Sequence, residues 1–239
     1  MLEYNRSNVR VQGEVNVMFY EQLKEFYLFQ NIEEETIEKI NRMKIVPQSY
    51  EAGEAVNYFD DPINYFYVIL SGALKTNEYK LDGREIVSSY YFAYDAFPIY
   101  LIYGGAKKFP YNVYCHKKAH VFHIPVQPFR ELVAADSRLM ANVLEFVSTY
   151  CRYNKKVIQT VTFTKVNQRL AFWLLSSTDE DHNYIVPGTQ QMLADVLLVN
   201  RSSLNQELGN FEKEQVIRRV DGKIFVLDRA YLEELLATF

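Results

Sequence analysis

The chain is poor in cysteine. Cys115 and Cys151 are the two present in 239 residues. They are too few and too irregularly placed for a disulfide framework or a thiolate metal cluster, and both are expected as small buried hydrophobes. Long apolar runs are also missing. None approaches the roughly 18 residues of a spanning helix, so no membrane partner is expected. The stretch MLEYNRSNVRVQGEVNVMF at the N-terminus has neither the apolar segment nor the small-residue cleavage site of a secretory signal, and a cytoplasmic location is expected. Positive charge is scarce: the net charge is −4, and residues 160–239 hold eight Lys or Arg against eleven Asp or Glu. Binding to a polyanion through the overall field is thereby excluded, and any nucleic-acid affinity must rest on local patches. Catalytic patterns are absent too. There is no Ser/His/Asp ordering, no Gly-rich phosphate loop, and no His-x-His pair of the kind a metal-dependent β-roll enzyme usually shows. The chain reads as a non-enzyme, with no cofactor and no metal assigned.

Hydrophobic residues at 49% and charged residues at 23% fit a globular protein with one large or two modest cores. Two helical patterns, FYEQLKEFYLF and IEEETIEKINRM, open the chain, with Asn31 as a cap between them. They are expected to pack on the outside of the next part of the chain. From 44 to 124 the signal changes to strands: KIVPQSY, EAVNYF, INYFYVIL, ALKTNEYK, REIVSSYY, YNVYCH and AHVFHI. Turn-formers punctuate these at Gly53, Asp61-Pro62, Ser71-Gly72, Asp82-Gly83 and Gly104-Gly105, which argues for a closed or sandwich-like β unit. A short helix VQPFRELVAA and a long one at about 137–160 come next. Met140, Val143, Val147, Tyr150, Asn154, Val157 and Val161 recur at alternating spacings of three and four along the long helix. That is the seam of a two-stranded coiled coil with one polar core position, and it predicts a homodimer.

TKVNQRLAFWLLSS predicts a further helix with Leu170, Trp173 and Leu174 on its inner face. A polar loop carrying a short strand YIV succeeds it. Residues 189–213, TQQMLADVLLVNRSSLNQELGNFEK, then read as two short helices broken by a corner, with Thr189, after Pro187-Gly188, and Asn200 as caps. Leu193, Val196 and Leu197 line one face of the first helix, and Leu204, Leu208 and Phe211 line one face of the second. The opposite face of the second helix carries Arg201, Ser202, Asn205 and Gln206, whose side chains suit base edges. VIRRVDGKIFVLD at 216–228 is two apolar runs around Asp221-Gly222, a hairpin signal. Together these make a winged helix-turn-helix, with Arg218, Arg219 and Lys223 on the wing within reach of phosphates. RAYLEELLATF closes the chain as a helix.

The order of β-roll, long helix and winged helix-turn-helix resembles the Crp/Fnr family of bacterial transcription regulators over nearly the whole chain. YEAGEAVNYFDDPINYFYVILSGALKTNEYKLDGREI resembles the opening strands of that family's roll, and TQQMLADVLLVNRSSLNQEL resembles its DNA-reading segment. The resemblance implies an α+β fold in three parts. These are an N-terminal β-roll (jelly-roll-like) sensor domain over residues 1–136, a dimerisation helix over 137–161 and a winged helix-turn-helix over 162–239. It implies a homodimeric regulator bound to double-stranded DNA, with RNA polymerase as a further partner. The implied DNA contacts are Thr189, Gln190, Asn200, Arg201, Ser202, Ser203, Asn205, Gln206, Arg218, Arg219 and Lys223. Arg201 stands where many members contact guanine, whereas Ser202 and Gln206 stand where many carry Glu and Arg.

Cyclic-nucleotide-binding members hold the ribose with the Glu of a Gly-Glu pair and the phosphate with an Arg followed by a small hydroxylated residue. Here Pro98-Ile99 and Phe109-Pro110 stand at those places, so cyclic AMP is not the expected effector. Lys107 and Lys108 are the nearby cations that a loop shift would have to recruit. The N-terminal cysteine cluster of the iron-sulfur members is missing. His116, His120, His123 and Cys115 are the candidates for the ligands that haem-sensing members take from the roll, but the three histidines do not share one strand face. An aromatic-rich run replaces the charged cassette. Two readings stay open. Tyr91, Phe97, Ile99, Tyr100, Phe109, Tyr111 and Asn154 line a pocket for an unidentified uncharged or aromatic effector, or the rings simply fill the roll. A protein-interaction sensor on the same fold is the alternative that the acidic C-terminal part suggests.

Overall fold

The computed structural model of the protein describes residues 19–79, 83, 85–178, 183–185 and 189–237. The N-terminal stretch up to Met18, Asp82 of the Asp82-Gly83 turn, most of the polar loop after Thr178, and Pro187-Gly188 lie outside the described residues.

Six antiparallel strands form the roll: β1 (Val46–Tyr50), β2 (Ala55–Asn57), β3 (Tyr65–Tyr79), β4 (Glu85–Phe92), β5 (Ala96–Phe97) and β6 (Asn112–Pro125). Their order is β1-β6-β3-β4, with β2 added on β6 and β5 on β3. Alternation along β3 sends Tyr67 and Ile69 into the roll, where they meet Phe97, Phe109 and Val121. Phe66 and Val68 point to the other face, which the N-terminal helices cover. Those helices are α1 (Phe19–Leu23) and α2 (Glu34–Arg42), joined through a 3-10 turn at Tyr27–Phe29. The expected single helix over 19–29 is thus two short pieces. The cap of α2 is Glu33, not Asn31, whose φ of 56° places it in a left-handed turn two residues earlier.

Two expected strand breaks are absent. INYFYVIL and ALKTNEYK run on as β3, and YNVYCH and AHVFHI run on as β6. Ser71-Gly72 is a bulge in place of a turn, because the β3–β6 register slips on both sides of Ser71. Gly72 has φ +87°, and a Cβ there would stand 2.1 Å from the carbonyl oxygen of Lys118. The two backbones touch at this point, and only glycine permits it.

Helix α3 (Ile99–Tyr103) comes after β5, and α4 (Val126–Ala135) leads to the long helix α5 (Ser137–Thr162). Asp136 starts α5 by accepting the amides of Arg138 at 2.8 Å and Leu139 at 2.9 Å, while its other oxygen accepts the amide of Glu33 at 2.8 Å. Burial pushes its carboxyl up, but these amides and the Thr36 hydroxyl outweigh it and hold the group below its usual range. Beyond α5 lie α6 (Val166–Ser177), β7 (Asn183–Ile185), α7 (Gln190–Val196), α8 (Arg201–Lys213), β8 (Ile217–Val220), β9 (Lys223–Val226) and α9 (Arg229–Ala237). They enclose a second core built on Leu170, Trp173, Leu174, Leu193, Leu204 and Phe211.

Gly72→Ala should separate β3 from β6. A loss of at least about 3 kcal/mol is expected, read as a lower urea midpoint of the roll; an unchanged midpoint would contradict the close approach.

Candidate DNA-reading surface and roll interior

The helix-turn-helix is assembled from the caps the sequence predicts. Thr189 Oγ1 accepts the amide of Met192 at 3.3 Å, and Asn200 Oδ1 accepts that of Ser203 at 2.7 Å. Leu193, Leu197, Leu204, Leu208 and Phe211 are all buried, and Val196 packs against them half-buried. Leu198 makes the corner with φ 50°. An unexpected residue secures that corner: Arg169 of α6 donates Nη1 to the carbonyls of Leu197 and Leu198, each at 3.0 Å, and Nε to the carbonyl of Phe163 at 2.8 Å. No periodicity points to it, since its partners are backbone atoms remote in the chain.

Arg201, Ser202, Asn205 and Gln206 are exposed together on α8, as is Thr189; Gln190 and Ser203 are half-buried. The wing has Asp221 at φ 50° and Gly222 at φ 76°, the positive pair a two-residue hairpin turn requires. Arg218 and Lys223 are exposed, with the Arg218 guanidinium 5.1 Å from the Phe225 ring centre. Arg219 differs from its two neighbours. It is half-buried and pairs with Glu212 of α8 at 2.5 Å, and that pair raises the arginine and holds the carboxylate down.

Helix α5 carries a different stripe from the expected seam. Val143 is buried in the roll-side core, Tyr150 stacks on Tyr100 with ring centres 5.0 Å apart, and Val157 packs against the C-terminal core. These three face their own chain. Met140, Leu144 and Ile158 are instead 42%, 62% and 64% exposed. Cys151, expected to be buried, is exposed in line with them, whereas Cys115 is buried. Of the other residues expected on the seam, Val147 packs against the roll-side core, and Asn154 and Val161 are half-buried. Leu144, Cys151 and Ile158 recur at spacing seven on the exposed side, one position on from Val143, Tyr150 and Val157.

Ile99 and Phe109 are each 1% exposed, Ile99 in the core under the N-terminal helices and Phe109 inside the roll, and they stand where the resemblance would put Glu and Arg. Lys108 points outward to Asp60 at 2.6 Å, and Lys107 is exposed. Four of the expected pocket residues, Tyr91, Phe97, Ile99 and Tyr100, line a cavity between the roll and α5. Phe109 and Tyr111 are core, and Asn154 does not reach the cavity. The histidines diverge: His120 bonds Ser49, His123 bonds Tyr50, and His116 lies edge-on to Tyr90. Among the described residues no group of three or more His, Cys, Asp or Glu is placed to hold a metal ion, and no helix is long and apolar enough to cross a membrane.

Residues 47–136 match the model of the cyclic nucleotide-binding domain, and residues 168–235 match that of the Crp-like helix-turn-helix domain. Among solved structures, FixK2 from Bradyrhizobium japonicum is similar at 15% identity and TM-score 0.60, over 80% of this chain and 96% of that one. A CooA mutant from Carboxydothermus hydrogenoformans is similar at 15% identity and TM-score 0.63, over 80% and 88%. So is a putative transcriptional regulator of the Crp/Fnr family from Eubacterium rectale, at 19% and 0.56, over 89% and 99%. Comparison by sequence with curated proteins finds no match. Fold and site thus define a class in which a roll of the cyclic nucleotide-binding type is joined by a long helix to a winged helix-turn-helix. Within that class, the chain belongs to the Crp/Fnr family of transcription regulators.

The half-buried His123 makes a prediction about pH. Burial pushes its pKa down to about 4 from 6.5. Between those values the unfolded chain binds the proton and the folded chain does not, so the roll should lose stability as pH falls from about 6.5 to about 4. His123→Gln should flatten this part of the pH–stability curve; curves that stay parallel would count against the assignment.

Proposed function

We propose that the protein is a sequence-specific DNA-binding transcription regulator. It works in the cytoplasm as a homodimer on a palindromic site, without cyclic AMP as its effector and with RNA polymerase as a further partner. The observation that carries this reading is the two-sided build of α8: one face is locked into the C-terminal core, and the other presents Arg201, Ser202, Asn205 and Gln206 to solvent. Arg201 suits the paired acceptors of guanine and Asn205 or Gln206 those of adenine, while Arg218 and Lys223 on the wing suit phosphates. Because Arg219 is committed to Glu212, it braces the wing against α8 and is not counted among the phosphate contacts. The buried hydrocarbon of Ile99 and Phe109 leaves a cyclic phosphate without charge-assisted partners, a cost of several kcal/mol. The proposed division of labour is a roll over 1–136, a dimer helix over 137–161 and a DNA reader over 162–239.

Arg201→Ala should cost about 1–3 kcal/mol and relax preference at one base pair of each half-site, measured by binding to a panel of single-base variants. Arg218→Ala should instead weaken all sequences alike and lower the salt slope by about one. Absence of any enriched sequence in an unbiased selection would favour a protein-interaction sensor instead.

The exposed stripe on α5 supplies the dimer test. Leu144 and Ile158 face solvent in the single chain, so Leu144→Glu and Ile158→Glu should leave the fold intact while placing like charges across the seam. Sedimentation should report monomers, with loss of palindrome binding. A dimer that persists in both variants would rule out this face as the interface.

A further inference from the structure

Between the roll and α5 lies a cavity of about 530 Å3, within the range of small-molecule sites. Tyr90, Tyr91 and Phe97 form its roll side, and Phe146, Tyr150 and Tyr153 form its α5 side. No Lys, Arg or His lines it among the described residues, while Asp95 and Glu145 do. An anion entering here would lose water, find no cationic partner and meet two carboxyl groups. The other polar side chains on offer are neutral hydroxyls. The Tyr100 hydroxyl donates to that of Tyr111 at 3.0 Å, and burial raises the Tyr100 phenol to about 12, so it stays protonated. Aromatic rings with neutral hydroxyls at their tips suit a ligand that is itself a ring and carries no charge.

Both walls continue into the DNA-reading half. The Tyr90 hydroxyl donates to Asp195 Oδ2 of α7 at 2.6 Å, and the other oxygen of Asp195 accepts Gln191 Nε2 at 2.8 Å. On the opposite wall Tyr153 stands edge-on to Trp173, with centres 6.1 Å apart. Trp173 is the single tryptophan of the chain and belongs to the C-terminal core. We propose that this cavity binds an uncharged aromatic small molecule, and that Tyr90 passes its occupancy to the helix-turn-helix through Asp195. Ile99, which stands where the resemblance would put the ribose-holding Glu, lines this cavity as hydrocarbon, and Phe109 is buried in the roll against Tyr67 and Tyr111. The regulatory half of the proposal rests on α7 and α8 being the DNA reader; the binding half does not.

The test uses the full chain and two fluorescent probes that share one ring skeleton, uncharged N-phenyl-1-naphthylamine and its sulfonated relative 1-anilinonaphthalene-8-sulfonate. The uncharged probe should bind saturably, one per chain, with energy transfer from Trp173. The sulfonate should bind at least about tenfold more weakly, and cyclic AMP should displace neither. Thr149→Phe, at an exposed position on the α5 side of the cavity, should weaken the uncharged probe by about tenfold or more. Tyr90→Phe keeps the ring in the cavity wall and loses the hydroxyl that reaches Asp195, so it is compared with wild type at saturating probe. The probe-induced change in amide hydrogen exchange over α7 should disappear in that variant. No saturable binding, equal binding of the sulfonate, or indifference to Thr149→Phe would overturn the site. An exchange response identical in wild type and Tyr90→Phe would overturn the relay. None of these readouts needs DNA, so a chain that meets them and fails the DNA tests would keep the site and lose the regulator.

Discussion

Helix α5 is the member on which the two halves depend, and charged side chains act at both of its ends. At its start, Asp136 satisfies amides that a helix leaves unpaired, and its negative charge lies at the positive end of the helix dipole. At its finish, Arg169 donates to Phe163, the residue that ends α5, and brings positive charge to the negative end. Each also reaches away from the helix. Asp136 takes the amide of Glu33 and thereby anchors α2, while Arg169 takes the two carbonyls of the helix-turn-helix corner. The roll's cover and the reader's corner are thus referred to one rigid rod.

That rod presents three faces with different tasks, and 26 residues are enough to hold all three. One face buries Leu139 and Val143 against the roll's cover, where Asn142 also donates to the carbonyls of Leu28 and Gln30. A second, with Tyr150 and Tyr153, closes the cavity and runs on to Trp173. The third leaves Leu144, Cys151 and Ile158 exposed. A 3.6-residue helix drifts about 20° per heptad against a 3.5-residue pattern. Apolar residues needed for contacts within the chain therefore sit one position from those left exposed. The two sets read as a single repeat in sequence.

Legibility tracked the range of the cause. Thr189 and Asn200 cap within three residues, Asp221-Gly222 turns within two, and the apolar faces of α7 and α8 repeat within four; all could be read directly from the chain. The break expected at Ser71-Gly72 misled because a glycine serves equally for a turn and for a bulge, and only the backbone of Lys118 decides that Gly72 is the latter. The remote bonds of Asp136 to Glu33 and of Arg169 to Leu197 and Leu198 left no signal, since they span 103 and 28–29 residues and engage main-chain atoms that any sequence supplies. Arg219 looked the equal of Arg218 for a similar reason. Strand alternation separates them, but Glu212 on the neighbouring helix determines which is engaged.

Replacing a charged cassette by phenols changes how a roll of this kind can signal. A buried phosphate held by an arginine is an all-or-nothing arrangement, because either partner alone is a costly buried charge. Neutral hydroxyls carry no such penalty, so the cavity can stand empty and folded. The signal must then pass through smaller terms. A part-buried hydrogen bond from a phenol to a carboxylate, such as Tyr90 to Asp195, contributes about 1–2 kcal/mol net, equivalent to a roughly five- to thirtyfold shift between two arrangements. That is the usual size of coupling between linked sites. Strengthening or breaking this one contact is therefore sufficient to bias how α7, and α8 behind it, sit against the rod.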